Sequence, residues 1–297
     1  GITACCACRR LLRLSLVGAA CRAEITHRAI SSRSGGPRGI FSIARSEQKL
    51  KRKRNKRNRG GRRICLNPVT GTSPSQRAEL REKRPGRIKG DILIDLSTGP
   101  CIFHLLPIFK CFKDITILEF NESCLKDLQK WLNKETDTYD WAHASKIVAE
   151  LKESSESWEG DEDDLRRRIK RILKYDFTKG NPTDPVILQK ADCVIVLGVL
   201  AHISKDLDVY CNNLKKLSSL LKLGGRLLII GGFHASYYTV AKQKYHILNF
   251  SEQDLRAALC SSGFAVERLE SKDSRIRDDT VYYHHIFMVS AVKNIEI

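Results

Sequence analysis

The run Gly90-Asp91-Ile92-Leu93-Ile94-Asp95-Leu96-Ser97-Thr98-Gly99-Pro100 constrains the fold more than any other stretch. Its core, Ile92 to Leu96, is apolar except for Asp95, which leaves no polar stripe for a helix and reads as a buried strand. Gly99-Pro100 breaks the run, and a helix-like segment is expected from about Cys101 to Cys111. A second strand, Asp114 to Leu118, ends in Glu119. An acid some two dozen residues after a strand-turn-helix unit suits the hydroxyls of a ribose. The pattern predicts a nucleoside-cofactor site in an open α/β sheet.

The remainder of the chain fits such a sheet. Leu125, Leu128, Trp131 and Leu132 recur at helical spacing behind Asn121, a suitable N-cap. Trp141 to Leu151 reads as a helix and Ser154 to Gly160 as a polar loop. A further helix is expected from Asp161, with Leu165, Ile169, Ile172 and Leu173 on its apolar side. Its acidic start and basic end suit the helix dipole. Ala191 to Leu197 is a buried strand. A helix near Lys205 to Lys222 is expected to end at Gly224-Gly225 as a left-handed cap. Arg226 to Ile230 is the next strand, and Ala235 to Phe250 reads as a hairpin or lid over the sheet's carboxyl edge. Ser251 and Asp254 form a capping box for a helix ending at Gly263. Phe264 to Leu269 and Val281 to Val292 are terminal strands with no helix between them. The fold class is therefore α/β, a doubly wound, mixed, Rossmann-like sheet. Residues 90–297 form this domain.

Residues 1–89 differ in kind. They hold 24 of the 52 Lys and Arg but only 4 of the 34 acids, so the formal charge of +18 belongs to them alone. They lack Tyr and Trp, and Lys49 to Arg63 is almost continuous positive charge. Such composition buries too little apolar area to offset ordering entropy, so a disordered extension is expected. It reads as a solvated tail, as a nuclear-localisation or nucleic-acid arm through residues 49–63, or as a transit peptide. The chain opens on Gly, which suggests a fragment. The 11 cysteines are scattered without paired CxxC spacings, which argues against zinc or a disulfide framework and fits a reducing cytosol. No apolar run reaches membrane-spanning length. His202, His234, His246 and the pair His284-His285 have no Glu or Cys to complete a metal set, so no metal is expected.

Ligands of such sheets lie outside the carboxyl ends of the strands. The candidates are Asp95, Ser97, Gly99 and Pro100, then Glu119 and Phe120, Asp176 and Phe177, Leu197 and Gly231. Glu119 would accept from ribose hydroxyls, Phe120 cover an adenine face, and Asp176 accept from the adenine amino group. Each also has a plain structural reading: Glu119 as a cap, Phe120 and Phe177 as core, and Asp176 as a turn acid.

The segments GDILIDLSTGP, FNESCLKDLQKWLNKE, LKYDFT, ADCVIVLGVL, LSSLLKLGGRLLII and SYYTVAKQKY resemble, in order, the nicotinamide/phenylethanolamine/indolethylamine N-methyltransferase family. The resemblance covers Gly90 to Ile297 and implies a class I methyltransferase fold with a seven-stranded sheet. It implies S-adenosylmethionine as cofactor and methyl transfer to a small amine or pyridine nitrogen, by a cytoplasmic monomer. A pyridine nitrogen needs no general base, whereas a protonated amine must first lose a proton. No side chain is assigned to a catalytic role.

By the same resemblance, the cofactor set extends to Phe103, which keeps a family aromatic ring without its hydroxyl, and to Cys124 and Leu197, which replace Asn and Thr. Ser97 stands where the turn carries its first glycine, a position where a side chain costs freedom and close approach. On the acceptor side, Gly231 replaces a substrate-orienting Asp and Ala235 a small polar residue, while Ser236, Tyr237 and Tyr238 are retained. Residues 1–89 lack the tyrosine-bearing helices that close the family's site. The alternatives are a catalytically impaired pseudoenzyme of this fold, or a nucleic-acid-associated protein acting through its basic arm.

Overall fold

The computed structural model describes residues 88–97, 99–152, 158–240, 243–274 and 281–296. The basic extension expected over residues 1–89 lies outside them, save that Ile88 is buried against the core.

Seven strands form one sheet, in the order β3-β2-β1-β4-β5-β10-β8. They are β1 (Ile92–Ser97), β2 (Asp114–Glu119), β3 (Ile169–Lys174), β4 (Ala191–Leu197), β5 (Leu221–Phe233), β8 (Phe264–Asp273) and β10 (His285–Lys293). The first five run parallel, and β10 pairs antiparallel with both β5 and β8. The expected doubly wound sheet with a mixed edge is thus present. The chain reverses between β1 and β4, the point where such sheets open a crevice. A second, three-stranded sheet joins β6 (Tyr237–Val240), β7 (Gln243–His246) and β9 (Val281–Tyr282), which makes the expected hairpin.

Side chains alternate across the main sheet as a strand's period of two requires. Leu93, Ile115, Ile117, Ile195, Leu228 and Ile230 face α1 (Glu122–Leu132), α2 (Ala142–Lys152) and α3 (Trp158–Arg168). Ile94, Leu96, Leu118, Val196, Ile229 and Phe287 face the other way, where α5 (Leu207–Ser219) and α6 (Glu252–Ser261) pack. Between β4 and α5 lies the short α4 (Val199–Ile203). Asn121 caps α1 by accepting from Ser123 and Cys124 amides, and Ser251 and Asp254 form the capping box of α6.

Three expectations are corrected. Cys101 to Cys111 is a chain of turns ending in a 3-10 helix at Phe109–Cys111, because buried apolar residues on every side of it leave no polar helical face. Ile169, Ile172 and Leu173 are not the apolar side of a helix. The helix is α3, it stops at Arg168, and these residues form β3 against β2. Gly224-Gly225 does not cap a helix: α5 ends at Ser219, and Gly224, at φ +75°, lies within β5.

Lys293 anchors the sheet's last strand. It is 1% exposed, and its amino group donates to the carbonyls of Ser218 and Leu221 and to Glu296. It thereby serves the carboxyl end of α5, where unpaired carbonyls collect. Lys293→Met should lower the unfolding free energy by about 2–3 kcal/mol, the cost of orphaning buried acceptors, as read by urea denaturation.

Candidate cofactor and acceptor site

The parallel register sets the strand ends level. Ser97 pairs with Leu197, Leu197 with Ile230, and Leu96 with Leu118 one step before Glu119. The turn after β1 and the end of β2 therefore meet. Gly99 donates its amide to Glu119 Oε2 at 3.1 Å, while Phe120 and Asn121 amides donate to Oε1 at 2.8 Å each. Glu119 is 1% exposed, and its burial pushes the carboxyl up to about 7 against the pull of those three amides. Gly99 holds φ +80°, and among the described residues a Cβ there would meet nothing within 4 Å, so the turn leaves open space beside it. A left-handed turn glycine beside a buried acid fits the ribose and methionine portions of an adenosyl cofactor.

Ser97 does not obstruct this turn. Its backbone continues β1 and takes no left-handed φ, so the position does not require glycine. Its side chain is 3% exposed and turns inward: Oγ donates to Asp95 Oδ1 at 2.7 Å and lies 2.9 Å from His104 Nε2. Asp95 is itself fully buried. Pro100 follows Gly99 at the half-buried edge of the turn.

The adenine-side candidates form an aromatic row. Phe120 meets Tyr175 edge-on at 5.9 Å, and Tyr175 meets Phe177 edge-on at 5.0 Å. Tyr175 is a buried member of this row and not among the residues expected at the site. Its place as the residue after β3, beside Asp176, was the available signal. Asp176 is exposed and accepts from the amide and hydroxyl of Thr178, which hold its carboxyl below the usual range. Cys124 sits in the first turn of α1, its thiol pushed up by burial and then by Glu119.

Two candidates lie in the core. Phe103 is 2% exposed and packs against Trp141 and His104 on the α1–α3 face. Leu197 is buried on that same face.

The acceptor-side candidates gather over the ends of β4 and β5. Leu248 donates its amide to the Ala201 carbonyl of α4, which brings the hairpin back over β4. There His202 packs on Tyr238 at 4.7 Å between ring centroids, and Tyr238 stacks on Tyr245 at 5.3 Å. Burial pushes the Tyr238 hydroxyl up to about 12. The His202 contact was not legible in the sequence, because it joins elements of different layers. Ala235 is buried, and Ser236 is exposed with its amide donating to Tyr282. A Cβ at Gly231 would stand 2.9 Å from Phe287 Cζ, and Phe287 is stacked on Phe233 at 4.2 Å. The place of a side chain at this position within β5 is thus filled by a ring from β10. Among the described residues no cluster of His, Cys, Asp and Glu could hold a metal ion, and no helix is long and apolar enough to cross a membrane. A recess of about 580 Å³ opens at the opposite, amino ends of the strands, around Asp91, Lys113 and Lys222, away from this geometry.

The NNMT/PNMT/TEMT family model matches residues 75–294. The chain belongs to that family. It is 37% identical over 185 residues to rabbit (Oryctolagus cuniculus) indolethylamine N-methyltransferase, covering 62% of this chain and 70% of the relative. It is 36% identical over 183 residues to human nicotinamide N-methyltransferase, covering 62% and 69%. Mouse phenylethanolamine N-methyltransferase is 33% identical over 188 residues, covering 63% and 64%. A solved S-adenosylmethionine-dependent methyltransferase from Methanosarcina mazei superposes over 71% of this chain and 95% of its own, at 11% identity and a TM-score of 0.49. The NNMT/PNMT/TEMT family is one of S-adenosylmethionine-dependent N-methyltransferases. Its sheet, as this chain displays it, puts Gly99 and Glu119 at the crevice.

Two outcomes follow. Gly231→Asp should not reinstate an acid in the site. It should lower the melting temperature, because displacing Phe287 from its stack costs roughly 1–3 kcal/mol. For Glu119, a value raised from 4.5 to about 7 means that the folded chain holds this proton more tightly than the unfolded one. The resulting stabilisation is complete below about pH 4.5 and lost as pH rises through about 7. Glu119→Gln should flatten that segment of the stability-against-pH curve. Identical slopes for the two proteins would show an ordinary carboxyl.

Proposed function

We propose that this chain transfers a methyl group from S-adenosylmethionine to the nitrogen of a small amine or pyridine. The observation that carries the reading is the meeting of Gly99 and Glu119 at the sheet's switch point. Glu119 would hold the ribose, sharing with its hydroxyls a carboxylate that now accepts from three amides. Gly99 and Pro100 would border the methionine portion, and Phe120 and Phe177 the adenine. Bound S-adenosylmethionine supplies an electrophilic methyl group on a sulfonium. The chain's own part is to orient the acceptor nitrogen in line and to exclude water.

On the acceptor side, Tyr238, Tyr245 and His202 offer flat aromatic surface, and Gly231 with Phe287 offers no charge. That wall favours an uncharged aromatic ring, presented at its nitrogen, over a cation needing a carboxylate. The nicotinamide and indolethylamine relatives supply the acceptor classes to try first. The same reading takes the protein as a cytoplasmic monomer with residues 90–297 as its methyltransferase domain.

A second reading, an impaired pseudoenzyme, draws on the near-complete burial of Glu119, which leaves a ribose little access to its oxygens. Calorimetry with S-adenosylmethionine and S-adenosylhomocysteine, followed by methyl transfer to nicotinamide, tryptamine and phenylethanolamine, separates the two. Binding at micromolar cofactor with methylation of at least one acceptor is expected. No heat at high micromolar cofactor would favour the pseudoenzyme.

A further inference from the structure

Asp95 and Ser97 share a buried polar cluster with His104, a residue that the proposed function leaves unused. Asp95 Oδ1, Ser97 Oγ and His104 Nε2 form a triangle with sides of 2.7, 2.7 and 2.9 Å. Asp95 and His104 are 0% exposed and Ser97 is 3% exposed. Asp95 Oδ1 accepts from both neighbours, so His104 presents a proton on Nε2. Asp95 Oδ2 and His104 Nδ1 are buried with no partner among the described residues. Leaving such atoms unpaired costs on the order of 1–3 kcal/mol each, so an apolar trio of the same shape would make the more stable core.

The cluster's place suggests what offsets that cost. Asp95 and Ser97 stand on β1 just before the turn, and His104 stands in the chain that returns from it. The three groups therefore clasp the turn containing Gly99 from its inner side, while Glu119 holds the Gly99 amide from the other. Ser97 reaches into the clasp with its hydroxyl donating to Asp95 Oδ1 and its oxygen facing the Nε2 proton of His104.

We propose that His104 is a positioning residue of the cofactor turn: through Ser97 and Asp95 it fixes the backbone at Gly99 in its open, left-handed shape. The inference rests on the cofactor reading above for its consequence in binding, but its structural half does not need that reading. His104 would touch no ligand. It would act by holding Ser97 inward and the two limbs of the turn together.

The test combines amide hydrogen exchange over residues 99–105 with S-adenosylhomocysteine calorimetry on the full chain. The variants are His104→Ala, His104→Gln, Ser97→Gly and the double variant Ser97→Gly/His104→Ala. His104→Ala should speed exchange across the turn and weaken cofactor binding about tenfold, the equivalent of one buried hydrogen bond. His104→Gln, which keeps a donor of similar reach, should restore both. In the double variant the two losses should fall short of additive, as expected for groups acting as one unit. A His104→Ala protein with wild-type exchange over 99–105 would overturn the proposal, even if its melting temperature fell. So would faster exchange with cofactor affinity unchanged. If the wild-type chain binds no cofactor, the methyltransferase reading fails by itself, and the exchange arm with its glutamine rescue still decides for or against the clasp.

Discussion

A carboxyl group withdrawn from water must be supplied with donors, and the way Glu119 meets this requirement orders the crevice. With 1% of its surface exposed, it collects the amides of Phe120 and Asn121 from its own strand end and that of Gly99 from the neighbouring turn. The same residue thus fixes two features at once. It sets the entrance to α1, where Asn121 is held in position to cap, and it draws the β1 turn against β2. Its charge is felt by its neighbours: with burial, it raises both the Cys124 thiol and the Tyr175 hydroxyl. None of this would arise if the parallel register were off by one residue, because a one-step slip reverses every side chain's face.

The two halves of the proposed site are built from different interactions. The cofactor half is held by directional bonds: Glu119 to Gly99 on one side of the turn, Asp95 and Ser97 on the other. The acceptor half is held by ring packing, with Phe287 against Phe233 and the position of Gly231, Tyr283 against Gly232, and His202 against Tyr238. Hydrogen bonds fix a turn to within tenths of an ångström. Stacked rings set the shape of a wall while allowing it to repack.

What the sequence disclosed follows the same division. Buried strands such as Ala191–Leu197, apolar throughout from Cys193, appear where expected. Caps are local chemistry, and Asn121 and Ser251 were legible for that reason. β3 was not, because Ile169, Ile172 and Leu173 follow Leu165 at spacings that suit a helix rather than a strand's period of two, and only pairing with β2 decides. At the site, Glu119 was legible as a strand-end acid. The inward direction of Ser97 was not, since it depends on His104, seven positions on and held in place by tertiary packing. Phe103, whose ring matches a family aromatic, is packed among core residues on the α1–α3 face.

Departures from the family's pattern therefore carry meaning in pairs. Taken alone, Ser97 is a lost glycine and Gly231 a lost acid. Taken with its neighbour, Ser97 is one corner of a buried triangle that leaves the Gly99 turn open. Gly231 is the space that a β10 ring requires, since an acid there would collide with Phe287 before it could reach a substrate. The first pair leaves the turn at Gly99 open; the second leaves no room for a carboxylate. On the proposed reading, the compensated change lies on the cofactor side and the uncompensated one on the acceptor side.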